Sequence, residues 1–395
     1  LRSKKDIKDE EYEEFYKFQS NDYEAPLMRM HFSADAPLEI NSLLFVPKRN
    51  MEKMGMFRNE NKVALHCRKV LIDPEPKSLF PEWLRFLKGV VDSSDLPLNV
   101  SREVMQDSEL LRKLNQVLTK RFLRFLNEQS KKEADTYLEF WKEFGILLKE
   151  GAATDFTYKE DLAKLLRFES TALEPGKLTG LDDYIDRMAK DQKEILFLFG
   201  KSRESIEAGP YLEALKARSL EVLLLTEPVD EYVMQSVREY KEKKIISADS
   251  EELKLEKLDE APKGKSMTKK DTKALCKWLK ETLKDKVSDV ETGERLIDSP
   301  VCIVGGDGMG GASARRVMKM MQGGDGMPSA PVKLQVNQRH SIIKGLSNLV
   351  QSDSKTAELI ANQLLDNALA TANLLDDPRE MIARSYQAIE KLANQ

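Results

Sequence analysis

The sequence predicts an α/β protein: two α/β/α layer units joined by a small helical connector, then an α+β C-terminal domain that ends in a helical bundle. Three observations predict it. Short apolar runs alternate with polar residues between Leu27 and Ile72, as strands of one sheet do. Two apolar strands at 195–199 and 221–225 bracket a helical stretch, the pattern of a βαβ crossover. The last third of the chain is dominated by helical periodicity. With 395 residues, 41% of them hydrophobic and 33% charged, the chain is long enough to bury more than one core.

In chain order, Glu10 to Phe18 reads as a helix, and strands follow at Leu27–Phe32, Ile40–Val46 and Val63–Ile72. Ser108 to Phe125 places Leu111, Leu114, Leu118, Phe122 and Phe125 at helical spacing, one wide apolar stripe that should cover the sheet. These elements make up residues 1–131, the larger α/β/α layer unit. Residues 132–176 are rich in helix formers and aromatics (Tyr137, Phe140, Trp141, Phe144) and are expected to form the connector. The smaller α/β/α unit, 177–249, starts with Thr179 as expected N-cap before Leu181, Tyr184, Ile185 and Met188, then a strand at Ile195–Phe199, a helix at Tyr211–Ala217 and a parallel strand at Glu221–Leu225. The run 250–271 is more than half charged, carries Pro262 and Gly264, and is expected to be a linker at a domain boundary.

The final domain, 272–395, has a helix near Thr272–Leu283, strands at Asp289–Leu296 and Val301–Val304, and terminal helices. The last helix is well punctuated, with Asp377 as cap and Pro378 at its first position. Ile382, Tyr386 and Ile389 share one face, and little chain remains to cover them. A second copy of the chain is the expected cover, giving a homodimer closed by a helical bundle.

Composition removes several function classes. Lys plus Arg is 63 against 67 for Asp plus Glu, so the net charge of −4 gives no reason to expect nucleic acid as partner. Cys67, Cys276 and Cys302 are an odd number, widely spaced and without a CxxC pair, so neither a disulfide framework nor a structural zinc site is indicated. No apolar run is long enough to span a membrane. The chain opens on Leu1 rather than Met, so a fragment is expected.

Four motifs carry possible chemistry. Residues 306–311 read GDGMGG, which satisfies GxGxxG after a strand and would give a dinucleotide-dependent enzyme, although few further strands follow to build the crevice. The plainer reading is a glycine-rich loop beside Met309, Met318, Met320 and Met321, which serve either as core or as an adaptable apolar surface. Gly200-Lys201-Ser202 ends like a phosphate-binding loop, but Ile195 stands where its first glycine should be, leaving a solvated turn. His31, His66 and His340 are scattered, and no nucleophile elbow exists. Arg102 and Gln106, at i and i+4 after an acidic Pro-containing loop, could grip a phosphate oxygen, or Arg102 could pair with Glu103 or Asp107.

Longer strings resemble the middle and C-terminal domains of the heat-shock protein 90 chaperone family over essentially the whole chain. They are FPEWLRFLKGVVDSSDLPLNVSRE at 80–103, EVLLL at 221–225 with PVDEY at 228–232, RLIDSP at 295–300, NQRH at 337–340 and LDDP at 375–378. The resemblance implies an ATP-driven homodimeric clamp that binds client proteins, with ATP and Mg2+ held by an N-terminal domain outside these residues. Arg102 matches the family's arginine to the ATP γ-phosphate in the closed state, and Gln106 its polar partner one turn later. The 395 residues alone are then expected to lack ATPase activity. Phe57 and the methionines Met309, Met318, Met320 and Met321 become client-contact candidates, and Ile382, Tyr386 and Ile389 the dimer interface. LTKRFLR at 118–124 and FWKEFGILLKEG at 140–151 are similar to the bacterial and mitochondrial branches, giving a mitochondrial matrix location as the expectation and a bacterial cytoplasm as the alternative. A non-catalytic interaction scaffold is the remaining reading.

Overall fold

A computed structural model describes residues 4–53, 55, 58, 62–96, 109–255, 265–293, 295–305, 315–316 and 331–394. The chain divides into two compact units, Leu1–Arg167 and Phe168–Gln395.

In the first unit α1 (Asp9–Ser20) precedes β1 (Met28–Ala34), β2 (Ile40–Val46), β3 (Lys62–Cys67), β4 (Val70–Asp73) and β5 (Lys88–Ser93), which form one sheet in the order β1-β2-β5-β3-β4. Only the β3–β5 pair is parallel. The run read as Val63–Ile72 is folded back on itself at Arg68 and Lys69, with φ of 48° and 68°. Such turns normally carry Asn-Gly, so an Arg-Lys turn gives no local signal. Here the Lys69 N–H donates to the Asp92 carboxylate of β5 at 3.1 Å, a tertiary support for the turn. Gly89 in β5 has φ 133°, and a Cβ there would stand 2.1 Å from the Leu43 carbonyl oxygen, so the sheet requires glycine.

Tyr12 and Tyr16 of α1 pack on Leu43 and Phe45. The long helix α2 (Glu109–Lys132) buries Leu111, Leu114, Leu118 and Phe122 as its stripe predicts. The segment expected as a connector behaves differently. Its helix α3 (Ala134–Thr154) and the short α4 (Lys159–Ala163) lie in the first unit, where Phe144 stacks on Phe86 at 4.7 Å and Phe140 lies 5.7 Å from Phe86. The aromatics that marked the segment are core residues, and burying them costs the segment its independence.

The second unit begins with β6 (Glu169–Ser170) and α5 (Leu181–Arg187). The cap of α5 is Gly180 rather than Thr179, and the Gly180 N–H donates to Asp183 at 3.3 Å. Thr179 is buried instead, bridging to Phe168 and accepting from Arg187 at 2.8 Å. β7 (Glu194–Phe199), α6 (Arg203–Glu207), α7 (Glu213–Lys216) and β8 (Leu223–Leu225) follow, and β7 and β8 are parallel, as the crossover pattern requires. The predicted helix at 211–217 is a 3-10 turn, Pro210–Leu212, running into α7. Ser202 caps α6 by accepting from the Ser205 N–H at 3.3 Å, so the Gly-Lys-Ser string is a helix entry. After α8 (Pro228–Val237) come β9 (Glu239–Tyr240) and β10 (Lys243–Ser247), completing a sheet ordered β6-β8-β7-β10-β9.

A three-stranded sheet follows, ordered β11 (Val287–Thr292), β13 (Val332–Val336), β12 (Val301–Val304), with α9 (Lys269–Leu283), α10 (Ser341–Ser352), α11 (Ser354–Thr371) and α12 (Pro378–Ala393). The strand predicted at Asp289–Leu296 stops at Thr292, because Leu296 turns into the core of the preceding sheet beside Cys302 and Val304. The expected boundary at 250–271 therefore does not divide the unit into independent cores: Leu196, Leu224 and Ile246 share one buried cluster with Leu296, Cys302 and Val304. His340 caps α10 by accepting from the Ile342 N–H at 3.1 Å, and His31 hydrogen-bonds the Tyr12 hydroxyl at 2.7 Å. Both histidines are structural.

Candidate functional site

Arg102, Gln106, Phe57, Met309, Met318, Met320, Met321 and the glycine string 306–311 lie outside the described residues. Their flanks are described. On one side of Arg102, β5 runs to Ser93, the Asp95 carboxylate accepts the Glu39 N–H at 2.8 Å, and the Leu96 carbonyl accepts the Cys67 thiol at 2.9 Å. On the other side α2 begins at Glu109 with its leucines in the core. Both flanks are fixed to packed elements.

The approach to Phe57 is equally tied. The Asn50 N–H donates to Glu143 of α3 at 2.9 Å, and the Asn50 side chain donates to the Glu143 carbonyl at 2.9 Å. Arg85, buried, forks to Glu52 at 2.9 Å and to Glu150 at 2.7 Å. Burial opposes its charge, but the two carboxylates outweigh burial and hold the guanidinium above its usual range.

The terminal helix presents the other candidate surface. Asp377 accepts the Arg379 N–H at 2.9 Å, as the cap pattern predicts, and no residue of α12 is buried. Ile382, Tyr386 and Ile389 are 44%, 68% and 54% exposed, and Leu392 is 72% exposed. At about 100° per residue, Ile382, Tyr386 and Ile389 fall within one narrow stripe. The three residues expected at an interface are thus brought together on one face of the isolated chain.

A buried charge network was not read from the sequence. Arg316 binds Glu231 at 2.6 Å, Asp249 at 3.1 Å and the Ala372 carbonyl at 2.9 Å, and it lies 5.5 Å from the Phe199 ring. Arg295 donates to the carbonyls of Ala248 at 2.6 Å and Leu253 at 2.7 Å, and to that of Ser250. Burial holds the Arg295 guanidinium below the usual arginine range. The partners lie 42 to 85 residues away, so no local pattern announces them.

The thiols are set for inertness. Burial pushes Cys302 up to about 12 and Cys276 up to about 11. Iodoacetamide at pH 8 is therefore expected to leave Cys302 unlabelled in the folded protein and to label it in urea, read by peptide mass. An unfolded thiol ionises near about 8.5. The Cys302 contribution to stability is then present below that pH and is lost as pH rises from there towards 12.

The sequence profile of the Hsp90 protein family matches residues 1–395. The chain belongs to the Hsp90 family. Chaperone protein HtpG of Desulfotalea psychrophila is 45% identical over 397 residues, covering 99% of this chain and 64% of the relative. HtpG of Desulfitobacterium hafniense is 46% identical, with 99% and 63% covered. The mitochondrial heat shock protein 75 kDa of Bos taurus is 38% identical, with 98% and 56% covered. The chain thus spans less than two thirds of the length of these Hsp90 relatives. The mixed sheets and C-terminal helices fit the middle and C-terminal fold expected of the family. The dinucleotide alternative is not favoured: β12, which leads to the glycine string, pairs antiparallel with β13, whereas a dinucleotide crevice needs parallel neighbours. No helix among the described residues is long and apolar enough to cross a membrane.

Proposed function

We propose that this chain is the middle and C-terminal region of an ATP-driven chaperone clamp, a homodimer that holds client proteins. The observation that carries this reading is the unbroken family match from residue 1 to 395. In this reading ATP and Mg2+ belong to an N-terminal nucleotide domain outside these residues, and Arg102, with Gln106, reaches the γ-phosphate when the clamp closes. The match of the string at 80–103 to the family supports the assignment, and a guanidinium there would stabilise developing phosphate charge. Phe57 and the methionines Met309, Met318, Met320 and Met321 are assigned to client contact. A mitochondrial matrix location and a bacterial cytoplasm are both consistent with relatives that include mitochondrial heat shock protein 75 kDa and bacterial HtpG.

Self-association is assigned to Ile382, Tyr386 and Ile389, whose stripe a second copy would cover in an isologous bundle. Sedimentation equilibrium of the 395-residue chain tests it. The wild type is expected to be a dimer, and Tyr386→Asp with Ile389→Asp to raise the dissociation constant by at least about 10²-fold, since each aspartate would be buried without a partner. A wild-type monomer at high micromolar concentration would remove this assignment.

A further inference from the structure

We infer that Arg384 and Asp366 form the positioning pair that aims the self-association helix, an inference that rests on the dimer reading above. α12 is joined to its own subunit by polar contacts and by the half-buried Met381 and Ala388. Arg384 donates through Nε to Oδ2 of Asp366 on α11 at 2.6 Å, its Nη2 lies 2.6 Å from that same oxygen, and the guanidinium also reaches Glu380 at 3.4 Å. Nearer the end of the helix, the Lys391 ammonium donates to the Thr356 hydroxyl at 2.7 Å. Between these contacts the two helices border an open cleft of about 840 Å³ lined by Glu358, Asn362, Gln387 and Glu390 among others. The seam is mostly polar and charged, with Leu359 the apolar side chain in its lining.

Helical geometry turns that seam into an aiming device. Counting about 100° per residue from Ile382, Arg384 and Lys391 stand at about 200° and 180°, while Tyr386 and Ile389 stand within about 40° of Ile382. The polar seam and the apolar stripe are therefore opposite faces of one helix. No residue of α12 is fully buried, and only partial burial of Met381, Ser385 and Ala388 accompanies the polar contacts in fixing its rotation. Asp366 is fixed, since its neighbours Leu364, Leu365 and Ala368 lie in the core cluster of the domain and its own side chain is only 6% exposed. The guanidinium is held at one oxygen of that fixed carboxylate by a charge-assisted hydrogen bond, which ties Arg384 to a defined point on α11. Arg384 thus converts the rigid position of α11 into a defined direction for Ile382, Tyr386 and Ile389. Removing Arg384 also strands a mostly buried carboxylate, which favours separation of the two helices.

The test compares the wild-type 395-residue chain with Arg384→Gln, Arg384→Lys, Asp366→Asn and the Asp366→Asn/Arg384→Gln pair. Sedimentation equilibrium gives the dimer constant, and hydrogen exchange by mass spectrometry follows α11 and α12 separately. Arg384→Gln is expected to weaken the dimer about 10-fold or more, equivalent to about 1.4 kcal/mol. It should also speed exchange in α12 while α11 stays protected. The double variant should regain some of the loss, because the stranded charge is gone, and Arg384→Lys should fall between wild type and Arg384→Gln. A wild-type dimer whose constant and α12 exchange are unmoved by Arg384→Gln would overturn the positioning role and leave the dimer reading standing. A monomeric wild type would overturn the dimer reading itself, and the inference with it. If Arg384→Gln loses protection in α11 as well, Arg384→Lys decides: a wild-type constant there overturns the inference.

Discussion

Arg102→Ala, in the protein carrying its nucleotide domain, is expected to turn over ATP roughly 10²- to 10³-fold more slowly than wild type while binding the nucleotide about as well. The magnitude is that of removing one preorganised donor from a site of developing charge. Binding is spared because, in the proposed cycle, the guanidinium meets the γ-phosphate only in the closed clamp, so its contribution appears in the transition state and not in the ground state. Arg102→Lys keeps a positive charge but loses the planar fork, and its rate should lie between the two. Steady-state turnover with a parallel nucleotide titration makes the measurement. Unchanged turnover in Arg102→Ala, with a loss of stability instead, would show that Arg102 serves an ion pair with Glu103 or Asp107.

Arg316→Ala is expected to destabilise the second unit by about 3–5 kcal/mol, measured as a shift of the urea midpoint at constant slope. Arg316, Glu231 and Asp249 are 3%, 0% and 1% exposed at their side chains, so removing the cation leaves two carboxylates facing each other out of reach of water. The pair needs its counter-charge far more than an exposed pair would. The control is Arg316→Met combined with Glu231→Gln and Asp249→Asn, which removes all three charges and should be markedly less costly than Arg316→Ala alone. Equal losses in the two proteins would assign the effect to packing against Phe199, whose ring lies 5.5 Å from the guanidinium. The network joins α8, the turn after β10 and the end of α11, so its loss should lower the stability of both sheets of the unit together.

Much of the architecture was legible where a short-range pattern carries the information. The α2 stripe, the β7–β8 crossover and the Asp377 cap with Pro378 are local features, and local periodicity or backbone chemistry specifies each. Other elements were less legible. β13 is the central strand of its sheet, and its alternating Val332, Leu334 and Val336 were a usable signal that was not read. The Arg68-Lys69 turn carries no such signal, because Asp92 in another strand helps to hold it. Thr179 looked like a cap by type and spacing, but its hydroxyl is taken by Arg187, itself forked onto Glu221.

The order of residues was enough to establish the family, the α/β class and the apolar face of the last helix, because motif strings and helical spacing are written along the chain itself. Membership of a core was not. Whether 134–154 stands apart or packs on Phe86, and whether Leu296 belongs to one sheet or another, depends on partners tens of residues distant. The same holds for Arg316 and for the contact of Arg384 with Asp366: a buried charge is stabilised by whatever folding brings beside it, and that choice is made only when the whole unit closes.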